Sequence, residues 1–497
     1  MKTPTLIRAV IAAVILVAGT LMAGPASAQT PAPRPQQHGR WLVDPDGRVL
    51  VLQGVNMVNK VGSYAPSATG FDADDAAFLA EQGFTTVRLG LIWKGVEPSP
   101  GQYDDAYLAS VRQTTELLAQ QGIFTLLDFH QDLYNEKFQG EGAPDWAVLD
   151  DGLPAAPQVG FPYDYFVMPA LNRAYDHFWA NAAGPGGVGL QDRYAQAWRH
   201  VASYFASTPN VMGFDLFNEP WPGTPYPACI IPLGCPGPDK KLSAFSQRTV
   251  DAIRTVDPHT VAYYEPQLLF SEAIKTSVKV TGPNLGFSFH NYCLFDPLAA
   301  AGLGIERPAC GITDSLTWSN MEGHVSARSV SPLLTEFGAT DNLTTLQDMV
   351  DRAAKHRTGW QYWAYCGCSD PTTTGAGDKQ ALVLDPHQAP AGANVKEAKL
   401  KALAVPHPTA VAGTPTSYGF NRTTGVFTLK YTSARAGATG RFPAGSPTTV
   451  AVPRIQYPSG YVVTAQGATV LSALDDPKLV LALNPGATQV QVTIKKR

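Results

Sequence analysis

Residues 211–223 read Val-Met-Gly-Phe-Asp-Leu-Phe-Asn-Glu-Pro-Trp-Pro-Gly. The run starts apolar, has no helical spacing and ends abruptly in polar residues at Asn218-Glu219-Pro220. It is therefore read as a strand buried on both faces, Val211–Glu219. Seven further runs of the same kind lie around it: Val51–Met57, Thr85–Gly90, Phe124–His130, Thr260–Glu265, Leu285–Tyr292, Pro332–Phe337 and Gly359–Tyr365. Helical patterns separate several of them. Asp72-x-Asp74 precedes Ala76–Gln82, which stops at Gly83. Tyr107–Gln121 stops at Gly122, and Arg193–Ala206 and Leu242–Val256 repeat the spacing. Strand–helix alternation repeated eight times predicts an α/β fold, a (β/α)8 TIM barrel. The alternative, a doubly wound sheet, lacks its Gly-x-Gly-x-x-Gly after the first strand.

The catalytic barrel is expected over residues 39–404. Beyond Val405-Pro406-His407-Pro408 helical spacing disappears. Thr424–Tyr431, Thr448–Tyr457, Tyr461–Thr464 and Thr488–Lys495 alternate between Gly, Pro and Ser punctuation. Residues 405–497 are thus expected to form a C-terminal β-sandwich. About 80 residues separate His130 from Val211, where a helix and two loops need roughly 30. The excess, about residues 131–190, is an insertion rich in Gly, Pro and aromatics, including Trp146, Phe161, Tyr163, Tyr165, Phe166, Phe178 and Trp179. It leaves the C-terminal end of a strand, where barrels keep their active sites. It reads either as a wall of the substrate site or as a sub-lobe with its own core.

Residues 1–28 have the form of a secretory signal: Lys2 and Arg8, then an uncharged stretch from Ala9 to Ala23, then Ala26-Ser27-Ala28. The mature protein is therefore expected to be secreted, with residues 29–38 as a disordered lead. Export makes Cys229, Cys235, Cys293, Cys310, Cys366 and Cys368 disulfide candidates. Sequence neighbours suggest Cys229–Cys235 and Cys293–Cys310, and a bridge across the single residue between Cys366 and Cys368 is harder to build. Asn342 and Asn421 are glycosylation sequons, relevant only in a glycosylating source. The chain has 497 residues, 44% hydrophobic and 16% charged, with 37 Lys+Arg against 41 Asp+Glu. No basic block exceeds Lys495-Lys496-Arg497, which excludes nucleic acid as a partner.

Polar residues inside buried strands are costly unless satisfied or used. Here they gather at strand ends: Arg88; Asp128 through Asp132; Asn218-Glu219; His290-Asn291-Tyr292; Glu336; Trp363. If the barrel register is right, Glu219 from strand 4 and Glu336 from strand 7 oppose each other across the mouth. A retaining glycosidase holds such a pair about 5–5.5 Å apart. His130, Asp132 and His290 do not form a compact ligand set by spacing, so no metal and no cofactor is expected.

The Asn218-Glu219-Pro220 step with Glu336 on strand 7 resembles the clan of (β/α)8 glycoside hydrolases that includes family 5 cellulases. That resemblance implies Glu219 as general acid/base and Glu336 as nucleophile. It implies Asn218 on the sugar 2-hydroxyl, Tyr292 donating to Glu336, and Arg88 lowering the pKa of Glu336 by its charge. His290 would lie near Glu219, and Trp363 would floor the subsite. A narrower resemblance rests on Asn56-Met57-Val58-Asn59-Lys60, on Asp128-Phe129-His130-Gln131-Asp132-Leu133-Tyr134, on residues 137–146, on residues 214–223, on Glu336-Phe337-Gly338-Ala339-Thr340 and on the C-terminal sandwich. Together these look like endoglycoceramidases. That family implies cleavage between oligosaccharide and ceramide of glycosphingolipids, with Lys60, His130, Asp132 and Trp179 contacting the glycone.

Apolar loops Cys229–Cys235 and Leu294–Leu298, with Leu303 and Ile305, suggest contact with acyl chains or a membrane surface if they are exposed, and ordinary packing if not. A monomer is expected. A steryl-β-glucosidase, β-glucosidase or endoglucanase of the same fold, or a non-catalytic glycolipid-binding protein, remain alternatives at this point. Retention of both carboxyls weighs against the last.

Overall fold

A computed structural model describes residues 34–230, 234–292, 306–373 and 377–497. The signal, Cys293 and the apolar loop residues Ile231–Leu233, Leu294–Leu298, Leu303 and Ile305 lie outside the described residues. Eight parallel strands close into a barrel: β1 (Gln53–Met57), β2 (Thr86–Ile92), β3 (Phe124–His130), β4 (Val211–Asp215), β5 (Val261–Tyr264), β6 (Leu285–His290), β7 (Ser331–Glu336) and β8 (Gly359–Tyr362). Each pairs with its sequence neighbours, and β8 returns to β1 through Trp360 opposite Gln53. Nearly every barrel-strand residue is buried, which is why these segments read as continuous apolar runs. Helices Ala73–Glu81, Asp105–Gln120, Leu190–Phe205 and Pro236–Arg254 cover the outside.

The strand carrying Glu219 ends sooner than its sequence suggests. Regular pairing of β4 stops at Asp215, and the chain then steps out of the ladder. Leu216 still donates to the Tyr263 carbonyl and Asn218 to that of Phe129, so the loop stays docked on β5 and β3. Glu219 itself is left-handed, with φ of 44°.

The insertion has a core of its own and also grips this loop. Helix Pro169–Trp179 buries Tyr175, Phe178 and Trp179. The Tyr175 hydroxyl donates to Gln131 Oε1 (2.7 Å), and Gln131 Nε2 donates to the Asn218 and Glu219 carbonyls at 2.7 and 3.2 Å. Trp221 donates to Asn172 and stacks near Tyr165 (5.0 Å between centroids). Among the described residues of the insertion, Asp132 at its start and the Phe161-Pro162 edge line the central cavity. Of the two readings of the insertion, most of its aromatics follow the second.

The C-terminal domain is a sandwich of two antiparallel sheets, but one sheet borrows from the other end of the chain. Gln36–His38, Trp41–Val43 and Val49–Leu50 join His407–Val411, Pro447–Ala451, Lys478–Leu483 and Ala468–Val470. Thr414–Asn421, Val426–Thr432, Gln489–Lys496 and Tyr461–Gln466 form the second sheet. The lead expected at 29–38 is therefore ordered from Arg34 onward, and the barrel begins near Gln53 and not at residue 39. Arg34 is buried, on Asp257, Thr260 and the Phe205 carbonyl. Short polar segments such as Gln36-Gln37-His38 carry no strand signal alone; pairing with Val43 and Leu42 supplies it.

Cysteines 229 and 235 are bridged, as are 366 and 368, and Cys310 is disulfide-bonded. Among the described residues no helix is long and apolar enough to cross a membrane.

Truncation after Val405 removes the partners of Val49–Leu50 and uncovers buried Val43, Val49 and Val51. The expected outcome is a barrel that does not accumulate in soluble form, checked by expression and gel filtration beside the full chain.

Candidate active site

The floor of the barrel mouth is built on one cation. Arg88 on β2 is fully buried, and its guanidinium reaches every side of the mouth. Nε donates to Asp215 (2.9 Å), Nη1 to Glu336 (2.5 Å) and Asn56 (3.2 Å), and Nη2 to Asn218 (2.8 Å) and Glu265 (3.2 Å). Asp128 lies 3.0 Å from Nη2. Burial alone would lower its pKa, but the surrounding carboxyls overcome this and hold it well above the usual arginine value. With its donors spent on protein groups, Arg88 has no face for a substrate. It stands beneath Glu336, against which the resemblance sets its charge.

Glu219 and Glu336 come together as the strand-end reading requires. One carboxyl oxygen of each, and a nitrogen of His290, lie within 4.8 Å of one another. Their surroundings differ. Glu336 accepts from Arg88 and from the Tyr292 hydroxyl (2.8 Å). Glu219 faces His290 Nδ1 at 2.7 Å and is otherwise buried. Burial pushes Glu219 up to about 7; His290 opposes this, while the charges of Glu336 and Asp132 add to it. Both carboxyls line a cavity of about 420 Å³.

At one end of that cavity, over β1, β3 and β8, stand Lys60, Asp132, Trp363 and Thr372. Lys60 Nζ is 2.6 Å from Asp132, 2.7 Å from Thr372 and 3.1 Å from Asp370, and sits over the Trp363 ring at 4.5 Å. His130 stacks on Trp363 (5.1 Å, 16°) and bonds Asp128 through Nδ1 (2.7 Å). Burial works against its charge, but Asp128 pushes it up to about 10, so Nε2 is a donor. Asn218 uses its oxygen on Arg88 and one Nδ2 hydrogen on the Gln131 carbonyl (3.0 Å). The other end, over β5 to β7, holds Glu272, Asn291, Tyr292 and Asp314 with Met349 and Phe337.

Trp179 is placed elsewhere than the resemblance implies. Its ring packs against Phe178, Phe217 and Phe245, and its Nε1 donates to the Trp221 carbonyl (2.7 Å), so it braces the loop that carries Glu219. The hydrophobic insertion gave no means of separating a cavity aromatic from a core one. Sequence reasoning also missed Asp215, Glu265, Glu141 and Asp370. Glu265 had a signal: Tyr264-Glu265-Pro266 ends β5 as Asn218-Glu219-Pro220 follows β4.

His130, Asp132 and Glu141 bring ligand-type atoms within 4.8 Å, as do Glu219, His290 and Glu336. In both clusters a cation of the chain is already among the carboxylates: Lys60 in the first (3.8 Å from Glu141), and Arg88 with His290 in the second.

An eight-stranded parallel barrel with two carboxyls this close at its C-terminal rim has the arrangement of a retaining glycoside hydrolase. The chain belongs to glycosyl hydrolase family 5: residues 43–369 match the family model described as Cellulase (glycosyl hydrolase family 5), and 406–495 match the family 5 C-terminal domain. It is 32% identical over 477 residues to Endoglycoceramidase I of Rhodococcus hoagii (strain 103S), covering 94% of this chain and 89% of that protein. It is 28% identical over 464 residues to Endoglycoceramidase of Hydra vulgaris, 84% and 80% covered. Endo-glycoceramidase II from Rhodococcus sp. superposes with a TM-score of 0.75 at 29% identity, over 92% of this chain and 99% of that one, in a structure described as its ganglioside GM3 complex.

Arg88→Met strands four buried carboxyls, and losing one partner of a buried ion pair costs about 3–5 kcal/mol. The expected loss of stability is at least that large, measured by urea unfolding against the native chain.

Proposed function

We propose that this protein hydrolyses the β-glycosidic bond between oligosaccharide and ceramide in glycosphingolipids, with Glu336 as nucleophile and Glu219 as acid/base. One observation carries the reading: two buried carboxyls within 4.8 Å have different partners, Glu336 accepting from Arg88 and Tyr292 and Glu219 facing His290. Donors from Arg88 and Tyr292 hold one oxygen each of Glu336 and orient its carboxyl. Burial keeps Glu219 protonated near neutrality, as a general acid must be. The relatives that span nearly the whole chain, named as endoglycoceramidases, support the lipid substrate.

In the first step Glu336 forms a bond to the anomeric carbon as the glycosidic C–O bond breaks. The Glu219 proton goes to the departing oxygen, which leaves as the ceramide hydroxyl. In the second step water attacks the same carbon, Glu219 takes its proton, and the bond to Glu336 breaks. Lys60, Asp132 and Trp363 line the cavity and serve the first sugars, Lys60 as a charged donor, Asp132 as acceptor and Trp363 as a stacking face, with His130 buried against the Trp363 ring beside them. Asn218 retains one amide hydrogen for the 2-hydroxyl.

The reading includes export, for which the sequence of residues 1–28 is the support. It includes contact with a lipid surface: Val159, Tyr163, Val167, Ile312 and Leu316 are exposed, and the first three flank or follow cavity-lining Phe161-Pro162.

Glu336→Ala is expected to abolish release of intact oligosaccharide from a glycosphingolipid, followed by chromatography of both products. Glu219→Gln should do the same for that substrate while retaining partial turnover of dinitrophenyl lactoside, whose leaving group needs no proton. Stepwise release of monosaccharides, or normal turnover by either variant, would sink the assignment. Because Glu219 acts protonated and its pKa is about 7, kcat/KM should fall as pH rises through about 7, read from a pH profile.

A further inference from the structure

Glu265 follows β5 and is buried, yet it is not among the residues that line the cavity and no step above uses it. Its two oxygens meet different parts of the Glu219 environment. Oε2 accepts the Glu219 peptide N–H at 2.9 Å. Oε1 lies 3.4 Å from His290 Nε2, an ion contact and not an aligned hydrogen bond, and 3.2 Å from Arg88 Nη2. His290 then meets Glu219 through Nδ1 at 2.7 Å.

Each contact answers a physical need. Glu219 has φ of 44°, and a side chain other than glycine in the left-handed region costs about 1–2 kcal/mol, so its peptide must be held from outside. Gln131 holds the carbonyl side of that turn, and Glu265 holds the N–H side. The second need is electrical. A carboxyl governed by burial alone would bind its proton too tightly to give it up and take it back within one turnover. A cation at His290 offsets this, and burial would strip that cation of its proton unless anions faced it.

We propose that Glu265 is a positioning residue for Glu219: one oxygen fixes the Glu219 peptide in its left-handed turn, and the other holds His290 as an imidazolium against the Glu219 carboxyl. The inference rests on Glu219 being the acid/base. Burial lowers the His290 pKa, but Glu265 and then Glu336 more than reverse it, and it stands well above the usual imidazole value. The same cation and Arg88 hold Glu265 below the usual range against burial. The titratable and charged groups facing this chain of contacts are Arg88 on β2, Asp132 after β3, Asp215 on β4, Glu272 after β5, Tyr292 after β6, Glu336 on β7 and Tyr165 of the insertion. Among the described residues Glu265 alone touches both the imidazole and the Glu219 peptide N–H.

Glu265→Gln separates the two functions, because the amide oxygen still accepts the Glu219 N–H while the charge is gone. In the full-length protein with nitrogen-labelled histidine, NMR should show His290 charged at neutral pH in the native chain and neutral in E265Q. Losing the cation raises the Glu219 pKa, so the basic limb of kcat/KM should move up by about one pH unit, with kcat on glycosphingolipid down about tenfold and KM nearly constant. Glu265→Asp, which keeps the charge, should leave the limb in place. A neutral His290 in the native protein overturns the proposal without any variant having to fold. So does an E265Q enzyme whose kcat or stability drops while its limb stays put, since that is a structural role alone. Normal glycosphingolipid turnover by Glu219→Gln is a different failure: it removes the acid/base reading and leaves the His290 signal unaffected.

Discussion

The burial of one guanidinium at the mouth of the barrel is the constraint on which the site depends. Arg88 lies within 3.2 Å of carboxyl oxygens from Asp128, Asp215, Glu265 and Glu336, contributed by β3, β4, the end of β5 and β7. An ion with no access to water must be matched almost in full by the protein. The arrangement ties together strands that do not all neighbour each other, so barrel closure and the orientation of Glu336 are one event. Asp215 shows the limit of the compensation: burial, with Glu265 and Asp128 beside it, holds its carboxyl well above the usual range although Arg88 opposes this.

Around that floor the carboxyls of Glu219 and Glu336 differ by what approaches them. Glu336 ends β7, just past a register shift against β6, and takes donors from Arg88 and Tyr292. Glu219 stands beyond the end of its strand, on a turn held by hydrogen bonds from the insertion, β3 and Glu265. The insertion therefore contributes to chemistry mainly from behind. Tyr175 orients Gln131, Gln131 clamps the Asn218 and Glu219 carbonyls, and Trp179 and Trp221 fill the space beneath. Such support matters because an acid/base displaced by an ångström loses most of its effect.

The polar end of the cavity obeys the same electrostatics on a smaller scale. Lys60 is enclosed by Asp132, Asp370 and Glu141; burial acts against its charge, and these carboxyls more than restore it. Of the three, only the Glu141 carboxyl accepts no hydrogen bond among the described residues, and burial holds it well above the usual range. The loop that brings Asp370 and Thr372 follows the Cys366–Cys368 bridge, so a second covalent closure sits directly after β8.

By itself the sequence determined the barrel, the sandwich and the residues Glu219 and Glu336. Strands buried on both faces must be continuously apolar, and polar groups that interrupt them are visible as exceptions. It also indicated the neighbourhood of Lys60, Asp132, His130, His290, Tyr292 and Trp363, because each follows or ends such a strand. Tertiary structure alone decided that Arg88 is enclosed by four carboxyls, that Trp179 braces a loop, and that Gln36–His38 belongs to the far domain's sheet. It alone brought Glu265, 46 residues from Glu219, to the Glu219 peptide. The reason is common to all four: whether a buried side chain meets substrate, another charge or another ring depends on contacts between distant segments, which local hydrophobic period does not encode.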